Sequence, residues 1–188
     1  MRHEGQHRHI AKPLQVPSIR ARLREVAANV LAATPGRSSW VYACPHDLVA
    51  REGREYVAGE VPEFLRGLPA WEPHRCYELS ARAARDHPQL TYVEGFAGDM
   101  TVHHAWLIDR HGRVIDLTWP LGPGGEYIGI ALETASLSRG VNGGAVHGAR
   151  LTDPELLRWG FGPATVQRAP ESGLDLPGMD AAGGRGGR

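Results

Sequence analysis

Three kinds of side chain that together can carry nucleophilic chemistry follow one another in the middle of the chain. Cys76 opens a helix-like stretch, His103 and His104 follow in a β-rich run, and Asp116 comes in the next run. A thiolate can attack a carbonyl carbon, an imidazole can take and return its proton, and a carboxylate can orient the imidazole. Cys76 falls in the predicted first turn of its helix, where unpaired backbone N–H groups favour an anion. The pattern therefore predicts a thiol-dependent site.

The segments that must position these residues predict helices first and strands afterwards. The stretch from Arg75 to Asp86 lacks Gly and Pro and is rich in Ala, Leu, Arg and Glu, which favours a helix. The runs QLTYVEGFAG, MTVHHAWLIDR, RVIDLTW and EYIGIAL are rich in strand-forming residues, and RHGR separates the second from the third. This order predicts an α+β fold in which the helix that begins near Cys76 packs on an antiparallel sheet.

Shorter helices are expected on either side of this unit. Apolar residues recur at helical spacing from Ile19 to Leu31, and PHDLVAREG predicts a short helix that Gly53 ends. Near the other end, LTDPELLRWG predicts a helix with Thr152 as its N-cap and Gly160 as its stop.

The hairpin between the second and third β-rich runs leaves the choice of histidine open. Successive side chains of a strand point to opposite faces, so His103 and His104 cannot both face the same partner. A two-residue turn centred on His111 and Gly112 sets Asp116 on the face of His103, whereas a three-residue turn or a bulge sets it on the face of His104.

The middle of the chain resembles the Cys–His–Asp core of the transglutaminase-like (papain-like) cysteine proteases and amidases, through the successive segments CYELS, YVEGFA and HHAWLIDRHGRVIDLTW. It also resembles a group of small bacterial and phage proteins with the order YVEG, HAW, D-x-TW, Y-x-G. The resemblance covers about residues 75 to 119, or extends to Ile130 if the run YIGI is included. It implies a papain-like architecture in which Cys76 is the nucleophile, His104 is the base and Asp116 orients the base. It further implies acyl transfer or amide hydrolysis through an acyl-enzyme, without a cofactor.

Four residues near this core are candidates for contact with a substrate. Glu94, at the end of the YVEG run, is expected to line the site and to contact a substrate amine or guanidinium group. Trp106 and Trp119 are expected to form core and cleft wall, and Tyr127 is expected at the far rim with Gly129. The backbone N–H of the nucleophile is expected to help bind the oxyanion.

Two other interpretations compete with a thiol enzyme. Cys76, His103, His104 and Asp116 are possible ligands of zinc or iron, but adjacent histidines on a strand point apart and no HExxH pattern occurs, so no metal is expected. The chain can also be a non-catalytic module that keeps the fold and holds a peptide or partner in a Trp-lined cleft.

The whole chain sets broad limits. Its 188 residues suit one domain, expected at residues 18–168, with a flexible arm at 1–17 and a disordered tail at 169–188. The net charge of zero argues against nucleic acid as a partner, and no apolar run is long enough to predict a membrane span. The sequence has two cysteines, Cys44 and Cys76, and no recognisable secretion signal, so the expected location is a reducing cytoplasm. A peptide, a protein or a small amide is the expected substrate, and the sequence does not indicate an oligomeric state.

Overall fold

The computed structural model describes residues 16–66, 75–122, 124–137, 149–162, 165 and 167–170. Helices and a sheet combine in this part of the chain, so the predicted α+β class is confirmed. The predicted arm and tail lie outside the described residues, except for residues 16–17 and 169–170.

The described residues form five α-helices and five β-strands. The helices are α1 (Ile19–Ala33), α2 (Pro45–Glu52), α3 (Cys76–Asp86), α4 (Thr134–Leu137) and α5 (Pro154–Trp159). The strands are β1 (Arg54–Ala58), β2 (Thr91–Ala97), β3 (Val102–Ile108), β4 (Arg113–Ile115) and β5 (Tyr127–Leu132). Short 3-10 turns lie at Pro35–Arg37, Glu63–Leu65 and Arg150–Thr152.

The ends of the helices follow the local sequence, with one correction. Gly53 ends α2 as predicted, and Gly160 ends α5 with a positive φ of +82°, which favours glycine. The N-cap of α5 is Asp153 and not Thr152, because the Asp153 carboxylate accepts the N–H of Glu155 at 2.9 Å. The Thr152 hydroxyl instead donates to the carbonyl of Ala149, just before the preceding 3-10 turn, at 2.7 Å.

The sheet closes on itself in the order β1-β4-β3-β2-β5, with β5 paired back to β1. Strand β1 was not predicted, because five residues with one well-buried side chain carry only a weak strand signal. It is parallel to β4, whereas the other neighbouring pairs in the sheet are antiparallel. The prediction of a wholly antiparallel sheet is therefore wrong at this one pair, which completes the barrel.

Closure of the sheet creates two separate apolar cores. One lies inside the barrel and includes Trp106, Ile108 and Tyr127. The other lies between the barrel and the helices and includes Ala105 and Leu107, the alternate residues of β3. Both faces of β3 are therefore buried, and its sequence must be compatible with both cores.

A glycine on β5 makes room for the largest side chain inside the barrel. A Cβ atom at Gly129 would lie 2.8 Å from Cη2 of Trp106 and 2.5 Å from the carbonyl oxygen of Glu94. The absence of a side chain at this position is what lets the indole ring lie close against the backbone of β5.

The turn between β3 and β4 contains three residues. Leu107 pairs with Ile115, and the N–H of Asp109 donates to the carbonyl of Arg113 at 3.1 Å. Gly112 ends the turn at φ +71°, a conformation that favours glycine. The Asp109 carboxylate accepts the N–H of Arg113 at 2.9 Å and so fixes the turn at its base. The register of the hairpin is therefore set by local hydrogen bonds.

Candidate active site

Cys76 occupies the first position of α3. Arg75 precedes it and forms a bidentate ion pair with Glu78 in the first turn, at 2.9 and 2.7 Å. The Ser80 hydroxyl donates to the carbonyl of Ala105 at 3.3 Å, which holds α3 against β3. Cys76 is 7% exposed, and the first backbone N–H groups of a helix have no acceptor within the helix. The fold thus places the thiol at the positive end of a helix dipole.

The three-residue turn places Asp116 on the same face as His104. The His104 Nε2 lies 2.7 Å from Asp116 Oδ2, and both side chains are buried. His103 points the other way, where its ring stacks on Phe96 at 4.9 Å and meets the ring of Tyr77 edge-on at 5.8 Å. Of the two alternatives left open by the sequence, the structure has the one that pairs Asp116 with His104.

Asp116 lies just beyond β4 rather than inside a strand, because the predicted strand RVIDLTW ends at Ile115. Its Oδ1 accepts the N–H of Thr118 at 3.0 Å and the N–H of Trp119 at 2.9 Å, which closes a tight turn. This turn uses one carboxylate oxygen and leaves Oδ2 directed at His104. The D-x-T-W spacing therefore has a structural cause that does not depend on catalysis.

The electrostatics of the site favour a charged imidazole. Burial lowers the pKa of His104, but the hydrogen bond to Asp116 and the nearby Cys76 thiol outweigh burial and raise this pKa to about 9. Burial raises the pKa of Asp116, whereas the bond to His104 and two backbone N–H groups hold it below its usual value. Because Nε2 faces Asp116, Nδ1 is the ring atom left for the sulfur.

His103 has the opposite electrostatic character. Burial, together with the nearby His46 and His104, lowers the pKa of His103 to about 4, so the ring is neutral at neutral pH. Its Nε2 atom is buried and has no hydrogen-bond partner in the described part of the chain. The two adjacent histidines are thus distinguished by their surroundings, and only His104 has a carboxylate partner among the residues that the structure describes.

Two tryptophans shield the ion pair between His104 and Asp116. Trp106 stacks on the His104 ring at 6.2 Å, and Trp119 meets it edge-on at 5.9 Å. Trp119 is half-buried, as suits a cleft wall, but Trp106 is 0% exposed and lies inside the barrel behind His104. Trp106 therefore belongs to the core and does not line a cleft.

Tyr127, expected at the far rim, is also buried in the barrel. It is 1% exposed, and its ring meets that of Trp106 at 5.2 Å. Its hydroxyl lies 3.2 Å from Asp116 Oδ2 and accepts the N–H of Leu121 at 3.0 Å. A residue buried in this way contacts Asp116 and not a bound substrate.

Glu94, expected to contact a substrate, is fully buried on the helix side of the sheet. One carboxylate oxygen accepts the hydroxyl of Tyr92 at 2.7 Å, and the other accepts the N–H groups of Arg150 and Leu151 at 2.6 and 3.0 Å. Burial raises the pKa of Glu94 to about 7, although these hydrogen bonds oppose the rise. Both oxygens are thus used inside the protein, where they attach the 3-10 turn at 150–152 to β2.

Cys44 is the other free thiol and has a different environment. It is 3% exposed just before α2, and its sulfur lies 4.0 Å from Nδ1 of His46. Burial lowers the pKa of His46, and no hydrogen bond between His46 and a carboxylate occurs in the described part of the chain. Cys44 therefore lacks the charged imidazole that Cys76 has.

Two residues that hold Asp116 were not predicted from the sequence. Thr118 and Tyr127 both bond to its carboxylate, but neither was assigned that role. The signal for Thr118 was present, because an Asp often accepts the N–H two residues later in a turn. No local signal identifies Tyr127, which comes from a different strand.

Features typical of metal-binding and membrane proteins do not occur in the described residues. No group of three or more His, Cys, Asp or Glu side chains is arranged there to hold a metal ion. None of the helices in this part of the chain is both long enough and apolar enough to cross a membrane.

Comparison with protein-family models, with curated proteins and with solved structures finds no match to this chain.

Proposed function

We propose that this protein is a thiol-dependent enzyme that cleaves or transfers acyl groups through a Cys76–His104–Asp116 triad. The observation that carries the proposal is the His104–Asp116 pair beside a thiol. His104 Nε2 lies 2.7 Å from the carboxylate of Asp116, and the thiol at the start of α3 lies close enough to His104 to help raise the pKa of its ring. An imidazole with a pKa of about 9 beside a thiol favours the transfer of the thiol proton to the ring, which creates the nucleophile.

The reaction that this arrangement supports has two stages. The Cys76 sulfur forms a bond to the carbonyl carbon of an amide, and the electrons of the C=O double bond move to oxygen. The first-turn N–H groups of α3 are suited to stabilise that oxyanion. When the C–N bond breaks, the leaving nitrogen takes the proton held at His104 Nδ1 and departs as a neutral amine. Asp116 keeps the ring in the orientation and tautomer that both transfers need.

The second stage decides between hydrolysis and transfer. Water or an amine attacks the thioester carbon, loses a proton to His104, and releases Cys76 with the acid or a new amide as product. Peptides, proteins and small amides are the proposed substrates, and no cofactor is required. A papain-like, transglutaminase-like architecture is part of the proposal, which is supported by a thiol-bearing helix packed on the strand that carries His104. A reducing cytoplasm suits two free cysteines.

Selective alkylation tests the proposal, because the chain carries its own internal control. We expect iodoacetamide to label Cys76 at least about tenfold faster than Cys44 at about pH 6.5, since only Cys76 has a charged imidazole partner. Mass spectrometry of the two cysteine peptides over time measures both rates in one sample. His104→Gln should remove the difference, and Cys44→Ala should leave the rate at Cys76 unchanged.

Activity-based probes extend the test to acyl chemistry. A vinyl-sulfone probe should label the native chain and Cys44→Ala, but not Cys76→Ala. Slow labelling of both thiols at equal rates, with no probe adduct in the folded chain, would instead favour a non-catalytic module that binds a peptide or partner.

A further inference from the structure

The Tyr127 hydroxyl and the His104 ring both contact the same oxygen of the Asp116 carboxylate. The hydroxyl lies 3.2 Å from Asp116 Oδ2, the atom that also lies 2.7 Å from His104 Nε2. We propose that Tyr127 is a positioning residue of this site, which sets the strength of the hydrogen bond between Asp116 and His104. The inference depends on the proposed function for its meaning, but its test does not require turnover.

The hydrogen bonds around the phenol fix the direction in which it donates. The N–H of Leu121 donates to the phenol oxygen at 3.0 Å, so the single phenol proton is left for another acceptor. The candidates are Asp116 Oδ2 at 3.2 Å and the Trp119 carbonyl at 3.4 Å. The carboxylate is both closer and charged, and hydrogen bonds to charged acceptors are stronger, so Tyr127 donates to Asp116.

The phenol keeps its proton across the range in which an enzyme of this kind works. Burial raises the pKa of Tyr127, and the charge of Asp116 raises it further. The ring is also held firmly, because Tyr127 is 1% exposed and packs edge-on against Trp106 at 5.2 Å. Loss of the hydroxyl alone should therefore leave the ring in place and remove one donor from Asp116 Oδ2.

The electrostatic effect of the Tyr127 hydroxyl on the pKa of His104 has a definite direction. A second donor at Oδ2 draws negative charge away from the bond with His104, which weakens the stabilisation of the imidazolium. In Tyr127→Phe, Asp116 should bind His104 more strongly, and the pKa of His104 should rise by about half to one unit. Because a more basic His104 favours transfer of the thiol proton to the ring, the alkylation rate of Cys76 in this variant should not fall.

The test is a titration of the carbon-13-labelled histidine rings by NMR, with the His104 signal assigned by His104→Gln. Tyr92→Phe is the matched control, because it removes a buried phenol that donates to a carboxylate, Glu94, on the other side of the sheet. The pKa of His104 should rise in Tyr127→Phe and stay at its native value in Tyr92→Phe. Equal values in the native chain and both variants would overturn the proposal.

A second perturbation tests the sign without deleting any atom of the core. Replacement of the five tyrosines by 3-fluorotyrosine makes each phenol a stronger donor, so the pKa of His104 should fall rather than rise. An unchanged pKa of His104 in the fluorinated chain would also contradict the proposal, and this test remains available if Tyr127→Phe fails to fold. A His104 pKa that responds as expected, in a chain whose Cys76 is unreactive, would support Tyr127 and refute the acyl-transfer function.

Discussion

Replacement of Asp116 by asparagine tests the electrostatics of the site with little change in shape. The side-chain carbonyl oxygen of the asparagine can still accept the N–H groups of Thr118 and Trp119, which lie 3.0 and 2.9 Å from Asp116 Oδ1, so the turn after β4 should persist. The new amide NH₂ takes the place of Oδ2 and can only donate to His104 Nε2. The ring must then carry its proton on Nδ1, the atom that faces the sulfur, and cannot accept a proton from Cys76.

The size of the effect follows from the pKa of His104. It stands at about 9 against an ordinary 6.5, and each pKa unit corresponds to 1.36 kcal/mol, so the surroundings favour the imidazolium by about 3 kcal/mol. Asp116 supplies the leading favourable interaction, whereas burial acts in the opposite direction. Without the carboxylate, burial should dominate, and the pKa of His104 should fall below 6.5.

Histidine NMR and cysteine alkylation measure this change independently. In Asp116→Asn, the rate of Cys76 alkylation at about pH 6.5 should fall by about tenfold to a hundredfold, the latter corresponding to loss of most of the roughly 3 kcal/mol. The rate at Cys44 serves as the internal reference. A His104 pKa that remains above about 8 in this variant would refute the assignment of Asp116 as the source of the shift.

The same pair predicts how the free energy of unfolding depends on pH. The pKa of His104 is higher in the folded chain, so its contribution is complete below about 6.5 and is lost as the pH rises through about 9. The pKa of Asp116 is lower in the folded chain, so its contribution is lost as the pH falls through the folded value. The native chain should therefore exceed Asp116→Asn in stability most clearly between about pH 4 and 6.5.

Three further predictions concern the residues that support the site. The pKa of Glu94 is about 7 in the folded chain, whereas its ordinary value is 4.5, so the native chain should lose up to about 3 kcal/mol of stability as the pH rises from 4.5 to 7. Urea unfolding at a series of pH values measures this loss, which Glu94→Gln should largely remove. Gly129→Ala should lower the free energy of unfolding by about 1–3 kcal/mol through the clash with Trp106, whereas Gly36→Ala, with no atom within 4 Å of the new Cβ, should leave it nearly unchanged. Deletion of the exposed turn residue Arg110 should lower the thermal midpoint and abolish selective alkylation of Cys76, because a two-residue turn reverses the faces of β4. The substitution Arg110→Ala should preserve both properties. A deletion variant with native reactivity would show that the turn does not set the geometry of the site.

The parts of the fold that follow from local sequence could be predicted. The composition of the stretch from Arg75 to Asp86 and the Pro that follows it predict α3 to within one residue. Strands β2, β3 and β5 were also predicted, because their Val, Ile, Tyr and Trp residues favour extended structure whichever face is buried. The assignment of His104 as the partner of Cys76 remains a prediction made with the help of a family resemblance.

Closure of the sheet could not be predicted, and it changes the roles of Trp106 and Tyr127. An open sheet covered by helices on one side leaves its other face exposed, where Trp106 and Tyr127 can line a cleft. Strand β1 pairs with both β4 and β5 and closes the barrel, so that face becomes a core. Glu94 lies on the opposite face, where the turn at 150–152 covers it. These contacts join segments far apart in sequence, and local patterns carry no information about them.

The identity of the base, in contrast, was encoded locally in the sequence DRHGR. A glycine that ends a three-residue hairpin turn in the left-handed conformation is a recognised pattern, and Gly112 has this conformation at φ +71°. An Asp at the start of such a turn can accept backbone N–H groups across it, as Asp109 does with His111 and Arg113 at 2.8 and 2.9 Å. Both signals favour three turn residues over two. Because side chains alternate along a strand, that single residue moves Asp116 from the face of His103 to the face of His104. The chemistry proposed for this chain is therefore selected by a surface turn that touches none of the reacting atoms.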